Sequence, residues 1–138
     1  MNKKKGYGWL ISAGIIAVLV LAAYLTFARP PTPDNSGLPA YALIGSRVKE
    51  AYLFAESNPS ALDGVNCHCG CMRTVHEGRI HKRGLIDCFK KEDGSFDQHG
   101  SQCVMCVNDA LNVKSLIAAN KTKDQIKSII DNQYIGKA

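Results

Sequence analysis

Within five residues, Cys67-His68-Cys69-Gly70-Cys71, this chain places three thiols and an imidazole. Thiols at alternate positions share a face in a strand and diverge in a turn, so the local backbone decides which of them converge. An apolar core has no need of such crowding, because an isolated buried cysteine already serves as a small hydrophobe. A thiophilic metal does, and so does chemistry among the thiols themselves. Three more cysteines follow, Cys88 and the pair Cys103-Val-Met-Cys106. All six lie within forty positions and the other ninety-eight hold none, which argues for one shared site.

The chain has 138 residues, enough for one small domain and an appendage. Lys3, Lys4 and Lys5 precede an uncharged stretch from Gly6 to Ala28, with Trp9 and Tyr24 near its ends. About 20 apolar residues span a bilayer as a helix, and Trp and Tyr suit the headgroup zone. The expected organisation is a basic cytoplasmic tip over 1–6 and a transmembrane anchor over 7–28. A Pro-rich linker over 29–39 follows, then an extracytoplasmic Cys-rich domain over 40–138. Flanking lysines mark the cytoplasmic side, which places the C-terminal part outside a bacterial membrane. A cleaved signal peptide is the rival reading, but its apolar region is usually shorter. Thr26-Phe27-Ala28 fits a cleavage site only loosely.

The formal charge of +5 reflects this layout. Three lysines belong to the tip, leaving 14 basic against 12 acidic residues over 29–138, a net of +2. That balance, with few aromatics, excludes a nucleic-acid-binding surface. Four of the five prolines (Pro30, Pro31, Pro33, Pro39) fall in the linker, stiff at first and then flexible. About a hundred residues remain, a size that folds with a modest core and gains from a metal or disulfide staple.

Those hundred residues predict a mainly α fold, a small irregular helical bundle with a Cys-rich loop. Val48, Ala51, Tyr52 and Ala55 repeat at helical spacing before Pro59. Ser60 to Asp63 reads as a turn leading into the cysteine loop. A helix is expected from about Gln102 to Ala119, with Val107, Ala110, Leu111, Ile117 and Ala118 on its apolar side and Asn120-Lys121 breaking it. Thr122-Lys-Asp-Gln125 is a capping box, opening a last helix striped by Ile126, Ile129, Ile130 and Tyr134. The middle, Val75 to Gly100, has no dependable period, and Asp93-Gly94 marks a turn there.

Cys103 and Cys106, three apart at a helix start, share a face where the dipole favours thiolate. The run Leu85-Ile-Asp-Cys88-Phe89 carries Cys88 toward the interior. His81, seven residues before Cys88, and His99, four before Cys103, are the best-placed imidazoles, with His68 and His76 weaker candidates. The candidate metal ligands are therefore Cys67, Cys69, Cys71, Cys88, Cys103, Cys106, His81 and His99. Eight ligands suffice for two four-coordinate sites, and soft sulfur suits copper(I) or zinc. Met72 and Met105, beside cysteines, could add thioether ligation or simply pack.

Two other readings compete. Six cysteines in an extracytoplasmic domain could form three disulfides, giving a stapled domain of structural or interaction role. A thiol–disulfide redox protein could use the Cys103-x-x-Cys106 pair, though no alternation of strands and helices supports a thioredoxin-like fold. No catalytic residue is assigned: a Cys88 nucleophile with His81 or His99 lacks any sign of an oxyanion hole. The partners this reading implies are a membrane through 7–28, a metal ion and another envelope protein.

Asn66-Cys67-His68-Cys69-Gly70-Cys71, then His81 with Leu85-Ile-Asp-Cys88-Phe89, then His99-Gly-Ser-Gln-Cys103-Val-Met-Cys106, resembles the bacterial family named for its PCYCGC motif. The likeness covers Ala40 to Gly136. It implies a membrane-anchored or lipoprotein-type protein with a heavy-metal role. The motif's Pro and Tyr are here Asn66 and His68, and a transmembrane stretch stands where the family often has a lipidated cysteine.

Overall fold

A computed structural model of the chain describes residues 7–27, 34–75 and 78–136. Two compact units result, Met1–Asp34 and Asn35–Ala138. The first contains α1, Tyr7–Phe27, an uncharged helix whose side chains are described, and exposed, over 11–25. Among the described residues no helix is long and apolar enough to cross a membrane. The basic tip at 1–6 and residues 29–33 of the Pro-rich linker lie outside the described residues.

The second unit is mainly α, with no strand among its described residues beyond two isolated bridges. A 3-10 turn, Ala40–Leu43, leads into α2, Ser46–Ser57, and α3, Pro59–Leu62. The cysteine loop follows, then a second 3-10 turn, Leu85–Cys88. The short α4, His99–Gln102, precedes α5, Val104–Ala118, and α6, Lys123–Asn132.

α2 buries Ala51, Tyr52, Phe54 and Ala55, the face its spacing predicts extended by Phe54. α5 packs against it, burying Cys106, Val107, Ala110 and Val113. The expected apolar side of α5 runs one turn too far, since Ile117 is 40% exposed and Ala118 is exposed as well. Asn120 ends α5 with φ +56. Its N–H donates to Ile117 O and that of Lys121 to Leu116 O, a Schellman closure. Thr122 and Gln125 then cap α6 reciprocally, and Ile126 and Ile130 are buried.

Tyr52 stands at the centre, fully buried, edge-on to Tyr41, Phe89 and Phe96. Its hydroxyl donates to Asp97 O and accepts from the Ser101 N–H, tying α2 to the start of α4. The helix expected from about Gln102 is α5, which starts at Val104: Cys103, with extended backbone (φ −114, ψ 102), separates it from the short α4 and stands at its N-cap.

Two glycines make the aperiodic middle fit. Gly84 has φ +83, and a Cβ there would meet Val65 O at 2.2 Å. That closeness accompanies the bonds Leu85 N–H to Val65 O and Gly64 N–H to Arg83 O, which dock the middle against the cysteine loop. Gly100 lies against the Phe89 ring, 2.6 Å from where its Cβ would stand. Gly84→Ala adds a backbone clash to the strain of a backbone (φ +83, ψ −139) open essentially to glycine alone, and is expected to cost more than about 2 kcal/mol. Gly94→Ala, at φ +84 with nothing nearby, carries the strain alone and should cost about 1 kcal/mol. Urea unfolding of both variants checks the difference.

Candidate metal centre

Three chain segments meet at the site. The loop after α3 brings Cys67, Cys69 and Cys71; the second 3-10 turn brings Cys88; the α4–α5 junction brings His99, Cys103 and Cys106. The tight turn through Gly70, at φ +96, folds Cys69 and Cys71 back to the side of Cys67. A Cys67 N–H to Met72 Sδ bond of 3.1 Å closes it.

The sulfurs converge. Cys67 Sγ lies 2.9 Å from Cys69, 3.4 Å from Cys88 and 3.6 Å from Cys106. Cys106 lies 3.3 Å from Cys88 and 3.7 Å from Cys69. Cys71 Sγ is 3.0 Å from Cys69 and 3.1 Å from His99 Nε2, which is itself 3.6 Å from Cys69. His81 Nδ1 is 3.5 Å from Cys88. All eight residues singled out from the sequence therefore stand in one cluster, and all six cysteines are free thiols.

The separations of 3.3–3.7 Å approach the scale of a coordination polyhedron, while the pairs at 2.9–3.1 Å are closer than its edges. Around a tetrahedral ion with sulfur at about 2.3 Å and nitrogen at about 2.0 Å, S···S edges are about 3.8 Å and S···N edges about 3.5 Å. Two sets of four ligand atoms each fall within 4.8 Å of one another: Cys67, Cys69, Cys88, Cys106, and Cys69, His99, Cys103, Cys106. Cys67, Cys71, Cys88 and Cys106 are buried, while Cys69 and Cys103 are partly exposed.

Electrostatics restrict how many of these thiols ionise alone. Cys69 is driven far down by hydrogen bonds from Cys103, Cys106, Cys67 and Cys88. Its neighbours move the other way. Burial and the Cys69 contact push Cys71 up to about 12, and sulfur contacts hold Cys106 far above the usual range. Cys103 is also raised: a Cys106 hydrogen bond lowers it, but contact with Cys69 and burial outweigh that. Burial penalises each further thiolate in such a cluster, and a bound cation would offset that penalty.

The frame around the sulfurs is ionic. Arg79 bonds Asp97 Oδ2 and Asp87 O, and Arg83 grips the Asp87 carboxylate through Nε, Nη2 and its backbone N–H. Asp97 in turn accepts the His99 N–H at 2.8 Å. Both carboxylates are buried and compensated, and they fix the segments carrying Cys88 and His99. Sequence reading missed this frame, because Arg79, Asp87 and Asp97 lie in the stretch without periodicity.

His68 is outside the cluster. Its Nε2 lies 2.9 Å from Asp131 Oδ1, and its ring stacks on Tyr134 at 4.3 Å. Asn66 also donates to Asp131, so the two motif departures both fasten the loop to α6. Tyr134 donates to Asp109, whose carboxyl is raised by burial. Met72 and Met105 line a cavity of about 680 Å³ together with Cys67, His68 and Tyr134. His76 lies outside the described residues.

Fold and site define a small helical Cys/His-cluster protein. The family described as "protein of unknown function with PCYCGC motif" matches residues 32–137, and the chain belongs to that family. No curated protein and no solved structure matches it.

Two outcomes follow from the frame. Arg79→Leu strands the buried Asp97 carboxylate, while Asp87 keeps Arg83, and should cost about 3 kcal/mol in urea unfolding, given that the guanidinium is itself partly exposed. His81 is nearly inaccessible, and burial, Arg79 and His99 lower its pKa. In the unfolded chain it titrates near 6.5, so below that pH the unfolded state binds the extra proton. Its contribution is present above pH 6.5 and lost as pH falls toward the lowered folded value. Melting of the chelated protein from pH 7.5 to 5 should show that slope, and His81→Gln should flatten it.

Proposed function

We propose that this protein is a membrane-anchored, extracytoplasmic binder of a thiophilic metal, zinc or copper(I), held by its Cys/His cluster. One observation carries the reading: six free thiols and two imidazoles from three segments converge at spacings that approach those of metal-ligand polyhedra. Cys67, Cys69, Cys88, Cys103, Cys106 and His99 are the ligands, with Cys71 and His81 beside them. For the anchor, the support is the uncharged 21-residue α1, preceded in sequence by Lys3, Lys4 and Lys5.

The disulfide reading draws on the same closeness, since sulfurs 2.9–3.0 Å apart need little movement to bond. Those two closest pairs are Cys-x-Cys neighbours, however, and bridges between them are strained. The redox reading is weaker, because a reactive Cys-x-x-Cys nucleophile needs a lowered pKa and Cys103 is raised.

The full-length chain in detergent, purified without oxygen and again after export to an oxidising compartment, separates these readings. Elemental mass spectrometry beside a thiol count on unfolded samples should give stoichiometric zinc or copper and six free thiols after metal removal. Cys106→Ser, at the most buried corner, should lower affinity at least tenfold, about 1.4 kcal/mol. Exported protein with no metal and no free thiol would make the domain disulfide-stapled.

A further inference from the structure

Cys69 and Cys106 belong to both of the four-ligand sets. Their sulfurs lie 3.7 Å apart, the length of one edge of a sulfur tetrahedron, about 3.8 Å. The first set adds Cys67 and Cys88, 3.4 Å from each other and 3.6 and 3.3 Å from Cys106, with Cys67 also 2.9 Å from Cys69, an edge that an ion would have to lengthen. The second set adds Cys103 and His99, with His99 Nε2 3.6 Å from Cys69. Resting on the metal-binding reading above, we propose that the cluster is a two-ion centre in which the Cys69 and Cys106 thiolates bridge both ions. Cys67 and Cys88 complete the first ion's shell, and Cys103 and His99 the second's.

Ligand number favours this over two separate sites. Independent four-coordinate sites need eight ligands, whereas edge-sharing needs six, and the two sets together hold five cysteines and His99. Charge selects the ions. Five thiolates balance two divalent cations to a net charge of about −1, whereas two monovalent ions would leave about −3 in a largely buried site. A pair of divalent, sulfur-loving ions of zinc type is therefore the better occupant. The two ions differ chemically, one bound by four sulfurs and the other by three sulfurs and a nitrogen. The second lies toward the partly exposed Cys103, so it is the more accessible.

Cadmium-113, a divalent ion with the same preference for tetrahedral sulfur, provides the test on the full-length chain in detergent, reduced and anaerobic. The expected result is two cadmium ions per chain, with two distinct resonances that split each other through the shared sulfurs. X-ray absorption should place the ions within about 4 Å. Cys103→Ser should reduce two ions to one and remove the splitting. One ion in the wild type, or two unsplit resonances without a short metal–metal distance, overturns the bridged centre and leaves the metal-binding reading standing. No cadmium bound at all overturns both. The wild-type spectrum decides the matter even if the serine variant fails to fold.

Discussion

Sulfurs gathered this closely cannot all be anions without a counter-charge, and much of the second unit is arranged around that restriction. Cys69 is the one thiol pushed strongly toward ionisation, because four neighbours donate to it. Cys106 and Cys103, in contact with the neighbouring sulfurs, move the other way. A cation reverses the preference at several sulfurs together, so binding releases protons and competes with acid.

Such an arrangement needs a frame that does not depend on sulfur for its own stability. Arg79 and Arg83 compensate the buried Asp87 and Asp97, and Asp97 fixes the backbone of His99. Tyr52 links α2 to the Asp97 carbonyl and the Ser101 N–H. Gly84 and Gly100 allow backbone to approach backbone and ring at distances no side chain permits. At α6, Asp131 holds Asn66 and His68. The sulfur-bearing segments are thus positioned by ion pairs, aromatic packing and hydrogen bonds, and the sulfurs are brought together as a consequence.

That division explains what was legible in the sequence. Residues that repeat or cap announce themselves: the α2 face through Ala51, Tyr52 and Ala55, and the Thr122–Gln125 box of α6. The eight clustered residues were legible too, because thiols and imidazoles at short spacing have few alternative explanations. The break at Cys103 was not, since cysteine lacks the cap preference of Ser, Thr or Asp, and tertiary placement decided its extended backbone. Nor was the Arg79–Asp87–Asp97 frame, whose order comes from buried charge pairs with no period to detect. His68 was ambiguous for a different reason. An imidazole among thiols suggests a ligand, yet a ring that replaces the motif's tyrosine and stacks on Tyr134 keeps an aromatic role.

A frame independent of sulfur also bears on what kind of metal protein the proposed reading describes. Where metal creates the fold, as in the smallest zinc modules, binding energy is folding energy and exchange requires unfolding. Here Tyr52, Leu62, Leu85, Ile86, Phe89, Val113 and Ile130 are buried in one core with Cys67, Cys88 and Cys106. The apolar side chains of that core give the chain something to fold around besides an ion. Preformed ligands cost less entropy to order on binding, which favours affinity. They can also lose an ion through the partly exposed Cys69 and Cys103 while the core persists. Cys67, Cys88 and Cys106 are buried while Cys69 and Cys103 are partly exposed, so under the proposed reading the two ligand sets would differ in how readily they exchange. Retention at the inner face and exchange at the outer one suit a protein that acquires or hands on metal better than one merely stapled by it.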